Sequence, residues 1–205
     1  PLQSLRGVGG PTIAEATDPL VAVVWVSGTL VGSLLIASLV GRAINSAVGL
    51  FVLGSGIAVL SMQCGTVSDL IFAGGGFVPL VIETMVWAVV VLVLAAGMFR
   101  LSGPLPDISD GTARDAFNLR KIFTPLTARS ALAGAVVIPI VWLLLFNDLK
   151  GQAIAATTLG AIAAGMIGRY LSPHSQPILL FAAPVVFGAL GYAIALTMVS
   201  GPIDE

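Results

Sequence analysis

This chain carries very little charge. Asp, Glu, Lys and Arg make up 9% of its 205 residues, where a soluble domain carries about a quarter. With so few polar groups it cannot cover a water-facing surface, so lipid has to be its main solvent. The net charge of −1 argues against nucleic acid as a partner, because binding a polyanion needs a basic surface. A single cysteine, Cys64, excludes an internal disulfide and any multi-cysteine metal or iron–sulfur site. A single histidine, His174, excludes a His-rich metal site and a bis-histidine haem. Neither a phosphate loop nor a CxxC pair occurs, so no cofactor and no metal are expected. The opening PLQSLRGVGGPTIAEATDP lacks the basic-then-apolar run of a signal peptide. Gly9, Gly10, Pro11 and Pro19 mark residues 1–18 as an extended arm lying on one membrane face.

What the chain has in abundance is apolar sequence: 57% hydrophobic residues, with a mean hydropathy of +1.05. A helical span needs roughly 20 mostly apolar residues to cross about 30 Å of hydrocarbon. Six stretches qualify, near 20–41, 47–63, 77–99, 130–147, 152–171 and 177–199. The second and fourth are short and call for a locally thin bilayer or for help from their flanks. Barrel strands alternate in polarity, whereas VVWVSGTLVGSLLIASLVG is apolar on every side. The expected fold is an all-α integral membrane protein: one six-helix domain over 19–200 and a short tail at 201–205.

Lys and Arg set the orientation. Arg42, Arg100, Arg114, Arg120, Lys121, Arg129 and Arg169 fall on one side of the six spans, leaving only Arg6 and Lys150 on the other. The first group marks the cytoplasmic side of a plasma (inner) membrane, and both termini are then non-cytoplasmic. The third connection, 100–129, opens with a proline- and glycine-rich turn. It continues as TARDAFNLRKIF, which reads as a short helix near 112–124 with Asp110 close to its N-cap. Phe117 and Phe123 on one side, with cations beside them, suit a helix lying in the interface. A helix packed on the protein's own loops fits the same pattern.

Some internal similarity is visible. GRAINSAVGLFVLGSG (41–56) resembles GQAIAATTLGAIAAG (151–165), and Pro79 and Pro184 stand at similar depths in the third and sixth spans. Three spans per half would make this a 3+3 inverted repeat. Pro79, Pro139 and Pro184 are expected kinks, since proline removes a helix hydrogen bond and clashes with the preceding turn. Gly28 and Gly32 form G-x-x-x-G, and Gly160, Ala164 and Gly168 repeat that spacing. Such stripes let two backbones approach closely, so both are expected packing seams, within the chain or between copies.

Glu83 is the one acid placed inside a span, roughly 10 Å below the outer boundary. An intramembrane ionisable group is a functional candidate by default. With Thr84 beside it, and Asp69 before the span, it is the candidate ligand or ion site. The competing expectation is a neutral carboxyl bonded to a hydroxyl or a carbonyl. On either account Glu83 should avoid lipid, because it is too short to snorkel to the boundary. Asp69, Cys64 and His174 each read as ordinary loop residues. No G-x-S-G faces a histidine within the spans, and no second acid pairs with Glu83, so catalysis is not expected. Two function classes stay open. The favoured one is a permease or channel for a small solute or ion; the alternative is a non-catalytic anchoring or scaffold subunit of a larger membrane complex. The expected partners are the lipid bilayer and either further copies of the chain or other membrane subunits.

Overall fold

The computed structural model describes residues 13, 16–65, 77–105, 123–145, 149–174 and 176–199, and among these every regular element is helical. Six rods follow in order: α1 Pro19–Ala43, α2 Ser46–Ser61, α3 Phe77–Ser102, α4 Pro125–Leu144, α5 Lys150–Leu171 and α6 Ile178–Val199. Four of them, α1, α3, α4 and α5, are long and apolar enough to cross a membrane. The apolar stretches Ser46–Ser61 and Ile178–Ile194 are shorter. At 16 residues, α2 reaches roughly 24 Å along its axis.

Local chemistry accounts for the ends. Pro19 opens α1 at a position where its missing N–H would have had no helical partner. Asn45 caps α2, its side-chain oxygen accepting the Val48 N–H at 2.9 Å. Thr124 and Thr127 cap each other at the start of α4 in a reciprocal box, with Pro125 in the first turn. Within α4 the α-helix gives way to a 3-10 turn at Ala133–Val136. Pro139 follows as the third residue of Val137–Leu144, where it can offer no N–H to the carbonyl four residues back.

The rods pair within halves. α1 packs along α2, α4 along α5, and an extensive contact joins α3 to α6. α1 also meets α3, as α4 meets α6. The core gathers Val26, Leu30 and Ala37 of α1, Leu53 of α2, Leu94, Met98 and Phe99 of α3, and Ile178 of α6. Outside it, large apolar side chains stay open: Leu20 is 80% exposed, Phe51 75% and Trp142 79%. A soluble monomer does not leave so much contiguous apolar surface bare; in a bilayer it is the solvated face.

One end of the bundle is tied together by polar groups. Arg42 Nε donates to the Leu101 carbonyl, and Ser46 Oγ donates to the Gly103 carbonyl at 2.7 Å. The Leu105 N–H reaches Gln176 Oε1 at 3.4 Å, which brings the α5–α6 turn to the same end. Arg42, Arg100 and Arg169, near the C-terminal ends of α1, α3 and α5, therefore share one end with Arg129 in the first turns of α4. The described acids, Asp18 and Glu83, lie toward the opposite end.

Candidate functional site

Glu83 is the seventh residue of α3 and half-buried. Its carboxylate accepts the backbone N–H of Ile13 through both oxygens, at 3.0 Å to Oε1 and 2.9 Å to Oε2. Ile13 packs against the core, and one turn later Ala16 is buried and donates its N–H to the Ile13 carbonyl. The chain ahead of α1 thus folds back on α3, and Glu83 holds it there. This contact spans 70 positions, and no periodicity or motif signals it. Glu83 turns its carboxyl toward the Ile13 segment, where it meets a main-chain donor.

Thr84 does not join the site. Its hydroxyl donates to the Leu80 carbonyl at 2.6 Å, one turn back along α3. The pattern recurs along the rods: Thr29 to Trp25, Ser38 to Leu34, Ser55 to Phe51, Ser102 to Met98 and Thr158 to Ile154. A hydroxyl bonded to its own helix satisfies itself in lipid but presents little polarity to a passing solute. Asp69 and Phe117 lie outside the described residues, as does most of 112–124. Phe123, at the end of that segment, is 62% exposed and borders an apolar hollow. Cys64 follows α2, half-buried, and His174 is exposed in the turn between α5 and α6. Among the described residues no group of three His, Cys, Asp or Glu is placed to hold a metal ion.

The two small-residue stripes part company. A Cβ built on Gly28 or Gly32 meets nothing within 4 Å, so within the chain these glycines do not form the expected seam. α1 turns a different face inward, through Ala37 and Gly41. A Cβ on Gly49 of α2 would lie 2.8 Å from the Ala37 carbonyl oxygen and 2.9 Å from Gly41 Cα. At 3.6 residues per turn Gly32 stands about 140° around α1 from Ala37, so the two glycines of the stripe point away from that contact. The second stripe is a seam: Gly160 abuts Val137 of α4, Ala164 is buried, and Gly168 faces the Leu180 side chain of α6.

The prolines also differ. Pro79 is the third residue of α3, in a first turn whose N–H groups have no helical acceptors, so it bends nothing there. Pro139 follows the 3-10 turn of α4. Pro184 is the one inside a continuous α-helix, where it cannot donate to the Leu180 carbonyl. The similar segments do not superimpose on like elements throughout. Residues 41–45 finish α1 and turn, whereas 151–155 already belong to α5. Yet Gly49 and Gly160 each press the second rod of a half onto its first.

A hollow of about 350 Å³ opens between α3, α4 and α6, lined by Val89, Leu92, Ala131, Leu132, Ala182 and Val186 among others. Its lining is almost wholly apolar. Compared with known proteins, the chain matches no family model, no curated protein sequence and no solved structure.

Proposed function

We propose that this is a polytopic membrane protein crossing the bilayer six times, and that it works as a non-catalytic anchoring or scaffold subunit of a membrane assembly. The observation that carries this reading is the state of Glu83. The one acid within a described helix is engaged by the chain's own backbone at Ile13, leaving no second acid within the described rods for a solute. Hydroxyls turned back on their own helices and an apolar hollow point the same way. The arginine-rich end supports a cytoplasmic assignment for that face of a plasma (inner) membrane, with residues 1–18 and the end of α6 on the other side. Partners would be other membrane subunits or further copies. Tagged protein drawn from its native membrane in mild detergent, without crosslinker, should bring stoichiometric membrane proteins or itself as a defined oligomer. Recovery as a bare monomer would sink the scaffold reading.

A permease or channel for a small solute or ion is the second reading, favoured by one observation. Exchanging α1, α2 and α3 for α4, α5 and α6 leaves the pattern of principal helix contacts unchanged. That supports a 3+3 inverted repeat, an arrangement common in transporters, whose sites lie where the halves meet. In proteoliposomes a coupled permease should lose flux on Glu83→Gln. Full flux by that variant would remove Glu83 from any transport role.

A further inference from the structure

We infer that the hollow between α3, α4 and α6 is a binding site for one acyl chain of an anionic phospholipid, with the phosphate held at Arg129. The proposal rests on the membrane reading alone and is independent of any transport or scaffold role. The lining faces sideways: Val89 is 61% and Leu132 65% exposed, so the hollow opens on the lipid-facing flank and admits a chain from the bilayer. With almost no polar lining it offers nothing to a sugar, an amino acid or a hydrated ion, and burial of apolar surface is the interaction it can supply.

Charge selects the headgroup. Ala128 lines the hollow, and Arg129, the next residue, is exposed on the flank of the same turns. As the fifth residue of α4 it stands about 6 Å along the helix from its start, a depth from which an arginine reaches the headgroup layer while its stem lies on apolar surface. That end carries the described arginines, while both described acids lie toward the other, so the described rods attract an anionic headgroup there. Basic groups beside clefts between membrane helices are a recognised basis for holding acidic lipids.

The test is native mass spectrometry of the protein released from bilayers of phosphatidylcholine mixed with phosphatidylglycerol. The wild type should retain one phosphatidylglycerol per chain in preference to phosphatidylcholine. Arg129→Gln should cut that preference about five-fold, the factor expected for one cation at an anionic surface. Val89→Trp, at an exposed lining position, should abolish retention of either lipid without lowering the melting temperature; Leu132→Trp provides the same block if the first variant folds poorly. Equal retention of the two lipids by the wild type, or retention untouched by both tryptophans, would overturn the site. So would a lipid-free dimer whose second copy covers the hollow. Protein left in the aqueous fraction without detergent would overturn the membrane reading itself, an outcome visible before any lipid is weighed.

Discussion

Glu83 docks the turn at Ile13 onto α3. In sequence it is an isolated acid in an apolar run, which suggests coupling to a cation. In the fold its two oxygens share the Ile13 N–H. A hydrogen bond contributes about 0.5–1.5 kcal/mol net, and up to about 3 where the acceptor is ionised, which keeps the segment before α1 docked on α3. Gln retains a carbonyl oxygen and Leu retains no acceptor. Glu83→Gln should therefore leave the Ile13 amide protected, while Glu83→Leu should speed its hydrogen exchange tenfold or more. Equal exchange in wild type and Glu83→Leu would mean that core contacts of Ile13, not the carboxylate, hold the segment.

At the scale of elements, the α1–α2 pair depends on two glycines that approach almost backbone to backbone. Gly49→Leu would drive a side chain into the Ala37 carbonyl and Gly41, both backbone and unable to yield. Overpacking of this kind costs about 1–3 kcal/mol, so the variant should melt well below the wild type in detergent. Gly32→Leu meets open space within the chain and should leave the monomer's melting temperature unchanged. A large loss of stability in Gly32→Leu, with Gly49→Leu unaffected, would reverse the assignment of the seam. Both glycines sit in equally plausible small-residue settings, and only the packed geometry separates them.

For the whole molecule, the gathering of Arg42, Arg100, Arg129 and Arg169 at one end is the decisive asymmetry. Moving such an end across the bilayer is disfavoured during insertion. With Cys64 replaced by Ser, single cysteines at positions 110 and 205 should label from opposite faces of the membrane, position 110 from the cytoplasm. Labelling of both from one face would require an even number of crossings between them and would undo the six-span topology.

Local sequence settled the helical class and, to within a few residues, where the rods run. Each follows from local composition: long apolar runs have no other way to satisfy their backbone in lipid than as helices. The α2 cap at Asn45 was equally local in cause, and expected spans near 20–41 and 77–99 became Pro19–Ala43 and Phe77–Ser102. What the tertiary structure decided is which faces meet. Pairing of α3 with α6, the choice of Gly41 and Gly49 over Gly28 and Gly32, the Ile13–Glu83 bond and the hollow beside Arg129 all join distant parts of the chain. Apolar rods carry no polar face to aim them, and between helices in lipid there is no hydrophobic drive to read from the sequence. Close packing selects those partners, and close packing exists only once the rods stand side by side.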